Sequence, residues 1–356
     1  MTMTIAPRIA PRARTAFARP LLALFLAGAA LVLPALAEAQ DRAWMDATLL
    51  AAAKKEGKVT AYGSMNEEEA LPVFKVFQDA TGIAVEYVRN SDTGLMSRIT
   101  VEQRANKQSW DVLQTTAVNK LPPAWLAQFD PSEAKNLQPQ AKDPDRRWYG
   151  VYANYNSPGY NTEKIKKEDL PKTLEDFAKK TEWKGRVAID FSDNEWLRAV
   201  IQHYGDDKGR ALIKEIVQKL DVKVVKGHLA LARSVGAGEY WVALNNYTNL
   251  TLNVKLGGGP SDFWVIDPVA VFYGQIGINA KAPNPNAARL LSNFMLSQEG
   301  QTLLTKFGRI PTRADVESNP PGVLQAYAGH KEVSAVMSPE EEDKWQKLFK
   351  ELFAVR

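Results

Sequence analysis

The sequence predicts an α/β protein folded as two lobes, each a mixed, mostly parallel sheet flanked by helices and joined to the other by crossing strands. Three observations lead there. Residues 58–116 alternate short apolar strands with amphipathic helices as strand–helix–strand–helix–strand, the signature of a right-handed parallel sheet. A second α/β set begins at Val187. Extended segments at 149–155, rich in aromatics, and at 265–278 suit strands that carry the chain to the second lobe and back. A length of 356 residues also fits two domains.

In order, Asp46 to Lys55 reads as a first helix stopped at Gly57, and residues 58–62 as a strand. Asn66 then has the position of an N-cap with Glu69 three residues on, a capping-box-like pair, and Glu67, Glu68 and Glu69 suit the positive end of the helix dipole. That helix buries Val73, Phe74, Val76 and Phe77 and ends at Thr81-Gly82. Residues 83–88 form a second strand, Ser91 to Asn106 a second helix, and Asp111 to Leu113 a third strand. Residues 122–145 are Pro-, Asp- and Lys-rich, a surface excursion. In the second set, Val187 to Asp190 is a strand, Ser192 to Glu195 another capping-box-like start, Lys208 to Leu220 an amphipathic helix, and Trp241 to Leu244 a buried strand. Gly257-Gly258-Gly259-Pro260 is a turn and His228 beside Gly227 a turn residue.

The first 39 residues read as a secretory signal peptide, cleaved after Ala37 or Ala39. Arg8, Arg12, Arg14 and Arg19 form a basic start without acids, and Leu21 to Leu33 an apolar stretch too short to span a bilayer comfortably. The whole chain has 45 Lys and Arg against 41 Asp and Glu. Cleavage after Ala37 leaves a neutral chain, and after Ala39 a charge of +1, so charge gives no argument for a nucleic-acid or lipid partner. With no cysteine there are no disulfides, Cys-ligated metals, thiol catalysis or lipid anchor. The expectation is a freely diffusing periplasmic monomer.

In parallel α/β sheets, ligands bind beyond the carboxyl ends of the strands. That singles out loops 63–66, 90–94 and 114–117 and their small polar residues: Ser64, Asn66, Ser91, Thr93, Thr115 and Thr116. The histidines at 203, 228 and 330 have no metal spacing, and there is neither a Gly-x-Ser-x-Gly elbow nor a phosphate loop, so no enzyme and no cofactor is expected.

Residues 283–313 carry Asn286-Ala287-Ala288, then Phe294, Ser297-Gln298-Glu299-Gly300-Gln301, and Gly308-Arg309-Ile310-Pro311-Thr312-Arg313. This resembles the C-terminal signature of ABC-importer substrate-binding proteins of the ferric-ion type, which have the type II periplasmic-binding fold. Gly57 to Tyr87 resembles the opening of that family, and Gly238 to Tyr247 its segment ending Asn-Asn-Tyr. The resemblance implies lobe 1 at 40–150 and 268–315, lobe 2 at 151–267, C-terminal helices at 316–356, hinge closure over a small ligand, and delivery to a membrane permease with its ATPase. A ligand sensor presenting to a signalling receptor is the rival class.

The ferric members hold iron with two adjacent tyrosines, a histidine and a glutamate. Here Tyr247 follows Asn245-Asn246, but Thr248 stands in the second tyrosine's place, Asn66 in the histidine's, and Thr115 or Thr116 in the glutamate's. The expected ligand is therefore a small organic anion or organophosphorus compound, with ferric iron or a ferric–anion complex as the alternative. The expected contacts are the loop hydroxyls and amides together with Asn246, aromatic cover from Tyr62, Tyr155, Trp196 and Tyr247, and charge from Arg98 and Arg198.

Overall fold

The computed structural model describes residues 42–334 and 337–354. The signal-peptide expectation and its cleavage sites lie outside these residues. Among the described residues eleven strands run in the chain order β1 (Lys58–Gly63), β2 (Ala84–Arg89), β3 (Val112–Thr115), β4 (Trp148–Asn161), β5 (Val187–Asp190), β6 (Lys223–Val225), β7 (Val242–Tyr247), β8 (Ser261–Phe263), β9 (Val269–Ile278), β10 (Ile310–Pro311) and β11 (Glu332–Ser334). The helices are α1 (Ala47–Glu56), α2 (Glu67–Thr81), α3 (Asp92–Arg104), α4 (Leu174–Phe177), α5 (Asn194–Tyr204), α6 (Asp206–Leu220), α7 (His228–Gly236), α8 (Thr248–Leu256), α9 (Pro285–Leu296), α10 (Gln298–Thr305), α11 (Val323–Ala326) and α12 (Pro339–Leu352).

The strands join edge to edge in the order β2-β1-β3-β9-β4-β7-β5-β6. Pairing is parallel among β2, β1 and β3 and among β6, β5 and β7, and antiparallel where β9 and β4 stand between the two sets. The link between the halves is β4. Residues Trp148 to Tyr155 pair with β9, and from Asn156 onward the same strand pairs with β7 and then β8. The change of partner coincides with a register shift between Ser157 and Gly159, where Pro158 has no N–H to give the ladder.

Each half has its own core. One gathers Phe74 and Phe77 of α2, Val59 of β1 and Leu290, Leu291 and Phe294 of α9; the other gathers Ile189, Trp196, Val200, Ile213 and Ile216. α12 packs onto the second core through Trp345, Leu348 and Phe349. Among the described residues no helix is long and apolar enough to cross a membrane.

Helix starts are served by partners that spacing alone does not give. Asn66 is the N-cap of α2 but makes no side-chain cap bond: its side-chain oxygen accepts from Arg89, and Glu69, the other half of the expected box, is buried against Arg309. α5 starts at Asn194 with Asp193 as N-cap, and the Ser192 hydroxyl donates to Asp190 instead of capping. α9 is served by Glu56 at the end of α1, whose carboxylate accepts from the N–H of Asn286 (3.2 Å) and of Ala287 (2.7 Å). His228 is the first residue of α7 rather than a turn residue. The excursion at 122–145 is a run of 3-10 turns that buries Leu126, Phe129 and Leu137.

The C-terminal signature has a structural meaning. Gln301 accepts from the N–H groups of Thr312 (2.9 Å) and Arg313 (3.0 Å), and Thr312 donates to the carbonyl of Gly150 (2.7 Å), tying α10 to the bridging strand. Arg313 is buried and pairs with Glu133 (2.5 Å) and Asp315 (2.7 Å). Removing one partner of a buried ion pair leaves an uncompensated charge. Arg313→Ala is expected to lower the unfolding free energy by about 3–5 kcal/mol, measured by urea denaturation.

Candidate functional site

A cavity of about 300 Å³ opens where the two halves face each other. The first half contributes the carboxyl ends of its parallel strands: Ser64 and Asn66 after β1, Arg89 at the end of β2 with Ser91 and Asp92 following, and Thr116 after β3. The second half contributes Gly227, His228 and Leu229 at the start of α7, Tyr247 at the end of β7 and Leu250 of α8. Tyr152 and Asn154 of β4 line it as well, together with Arg309. The three loops expected from the sheet rule all reach it.

On the first wall, the Thr115 and Thr116 hydroxyls each donate to one carboxylate oxygen of Asp92, and Ser64 Oγ donates to Thr115 Oγ1 at 3.3 Å. Arg89 reaches the side-chain oxygen of Asn66 at 3.4 Å. Arg309 is buried over the Tyr152 ring, 4.2 Å from its centroid, and donates to Glu69 from Nε (2.8 Å) and Nη2 (2.7 Å) and to Asn154 Oδ1 (3.1 Å). Tyr152 has room because β9 places Gly274 opposite it; any Cβ there would collide with the ring.

On the second wall, the His228 and Tyr247 rings stack with centroids 3.8 Å apart. Asn246 fixes the imidazole tautomer. Its amide nitrogen donates to the His228 carbonyl (3.2 Å), so its oxygen accepts from His228 Nδ1 (3.1 Å). Nε2 then faces Asp190 at 3.5 Å and Asp193 at 3.6 Å. Burial, and then the Asp190 charge, push the Asp193 carboxyl well above the usual range. Burial lowers the imidazole, so His228 is neutral. The Tyr247 phenol is pushed well above 10 by burial and then by Glu195 and its acidic neighbours, which makes it a neutral donor.

Three helices begin at this cavity without a side-chain cap: α2 after Asn66, α7 after Gly227 and α8 after Tyr247. Their first-turn N–H groups and positive dipole ends favour a negative group.

Of the residues expected from sequence, Ser64, Asn66, Ser91, Thr116 and Tyr247 line one cavity. Thr115 and Asn246 lie one layer beneath, holding Asp92 and His228. Thr93 is not among the lining residues. Tyr155 stacks on Tyr327 at 4.3 Å, and Trp196 and Tyr62 are buried in hydrophobic clusters, because the apolar face of each element turns inward. Arg98 pairs with Glu102 (2.8 Å), and Arg198 donates to the Ser334 carbonyl (2.5 Å); neither lines the cavity. The cationic side chains there are Arg89, the last residue of a strand, and Arg309, inside the C-terminal signature. His228 was legible only as a neighbour of Gly227. Thr248 is buried, bonded to Ser157 Oγ (2.6 Å) and the Tyr327 hydroxyl (2.5 Å).

The chain belongs to the bacterial extracellular solute-binding protein family, which its residues 73–332 match. It is similar to iron uptake protein A1 of Synechocystis sp., with 25% identity over 287 residues, 73% of this chain and 77% of the relative. It is similar to the Fe(3+)-binding periplasmic protein of Serratia marcescens, with 25% identity over 265 residues, 71% of this chain and 78% of the relative. Among solved structures it resembles the periplasmic binding protein AfuA of Actinobacillus pleuropneumoniae with exogenous fructose-6-phosphate bound. The TM-score is 0.68 at 20% identity, covering 85% of this chain and all (100%) of that one.

Glu195, near the start of α5, has its carboxyl pushed up to about 7 by burial, with Glu342 and Asp92 adding to the shift and Lys120 opposing it. An acid raised in the folded state disfavours folding once pH exceeds its unfolded value, and the penalty is complete above its folded value. Glu195→Gln is therefore expected to stabilise the protein by about 1–3 kcal/mol at pH 8. Near pH 4, where the carboxyl is protonated in both states, the gain vanishes; thermal unfolding at the two pH values checks it.

Proposed function

We propose that this chain is the periplasmic solute-binding component of an ABC importer that captures a small organic anion, phosphate- or carboxylate-bearing, by closing its two halves over it. The observation that carries the ligand class is the meeting of three uncapped helix starts and Arg89 at a single cavity. Such a site solvates an anion with fixed N–H groups, and the His228–Tyr247 stack offers a flat face to an organic body. The fructose-6-phosphate in the AfuA structure supports the same class.

Asp92 narrows the class. Its carboxylate lines the cavity and accepts from two threonines, so it repels a second negative group and welcomes a hydroxyl or ammonium donor. The fitting solute has one anionic end and a donor-bearing body. The permease and its ATPase are the partners this role requires, with ligand contacts from both halves shifting the open–closed equilibrium.

A ferric reading is favoured by the two relatives named for iron and by Tyr247 in the cavity. Against it stand Asn66, Thr115 or Thr116, and the inward-bonded Thr248 at the places that the resemblance gives the other ligands. Neutral amide and hydroxyl oxygens suit the hard ferric ion less well than phenolate and carboxylate.

Thermal melts with a panel of phosphorylated and carboxylated polyols and amines test the proposal. The cognate solute at 100-fold excess over its Kd should raise the midpoint by roughly 5 °C. Asp92→Asn should weaken that solute by about tenfold without weakening, and if anything strengthening, the binding of inorganic phosphate. Ferric citrate should give no visible tyrosinate-to-iron band; a band that disappears in Tyr247→Phe would reverse the choice of ligand.

A further inference from the structure

Two ion pairs join the halves near the cavity. Glu68 of α2 meets Arg233 of α7 at 2.9 Å. Both helices begin at the cavity, α2 after Asn66 and α7 with His228. Lys120, in the 3-10 turn after Thr116, meets Glu342 of α12 at 2.6 Å. α12 is fastened to the second core through Trp345, Leu348 and Phe349, so Glu342 moves with that half.

We infer that these pairs are an electrostatic latch across the cleft, holding the halves together before any solute arrives and releasing them as ionic strength rises. The inference rests on the hinge closure proposed above. Its physical basis is exposure. Side-chain exposure is 72% and 58% for Glu68 and Arg233, and 37% and 21% for Glu342 and Lys120, so both pairs are reached by counter-ions. Pairs of this kind contribute little to global stability. An open–closed equilibrium between two states of similar free energy responds to contributions that small. The latch therefore makes solute affinity depend on salt even for a solute that carries no net charge.

The chain has no cysteine, so a dye pair can be placed cleanly at Val101→Cys on α3 and Lys214→Cys on α6, both exposed. Single-molecule energy transfer is read on the solute-free protein. The closed-to-open ratio should fall about tenfold between roughly 20 mM and 500 mM NaCl. At low salt Lys120→Glu should lower it by about tenfold and Glu68→Arg by about threefold. The charge-swapped doubles Lys120→Glu/Glu342→Lys and Glu68→Arg/Arg233→Glu should restore it. If inorganic phosphate moves the distance but salt and the reversals do not, in variants with unchanged thermal midpoints, the latch is overturned while closure stands. A distance that nothing moves overturns both.

Discussion

The architecture depends on one constraint: β4 is a single buried strand whose backbone hydrogen bonds must be satisfied along its whole length. No one neighbour does this. β9 pairs its first part and β7 its second, with the exchange at Ser157-Pro158-Gly159, where a proline and a register shift interrupt the ladder. The two sheets are thus joined through a shared strand rather than a flexible linker. The carboxyl ends of the parallel strands on either side of it come to face one cavity, with Tyr152 and Asn154 of β4 between them.

Charge is distributed around that cavity so that little of it is unpaired. Arg309 is held by Glu69 and Asn154, Asp92 by two hydroxyls, and burial both lowers the His228 imidazole and raises the Asp193 carboxyl beside it. What is left for a solute is mainly partial charge: helix-start N–H groups, a phenol, hydroxyls and amides, with Arg89 the more accessible cation. Such groups are already oriented and lose little freedom on binding. The buried pairs of Arg309 and Arg313 do a second job. Both arginines belong to the C-terminal signature, and through Asn154, Gly150 and Gln301 that signature fixes α10 and β10 against the bridging strand. A motif recognised as a family mark is, physically, the clamp on β4.

Much of this was legible from residues alone. The strand–helix alternation, the Gly57 and Gly82 stops and the apolar faces of α2 and α6 are local or periodic properties, which a sequence displays directly. The three loops at the carboxyl ends of the strands followed from topology. Side-chain roles were harder. Asn66 and Glu69 have the spacing of a capping box, yet Arg309, 240 residues away, takes the glutamate. Glu56 caps a helix 230 residues downstream. Arg98 and Arg198 looked as available as Arg89 and Arg309, because sequence carries no record of which cation already has a partner. Tyr155 and Trp196 looked as available as Tyr247, because a ring serves equally well in a core or at a ligand.

By itself, then, the sequence determined the class of fold, the order of its elements and the loops that meet at the cleft. These rest on composition, period and chain order, whereas the departures from a ferric ligand set are legible only through the resemblance to that family. Only the tertiary structure decided which charges are spent, that His228 pairs with Tyr247 as one wall, and that Glu68–Arg233 and Lys120–Glu342 join the halves. The stack is set by how α7 packs on β7 within one half, and the ion pairs by how the two halves meet, and neither is written in local sequence.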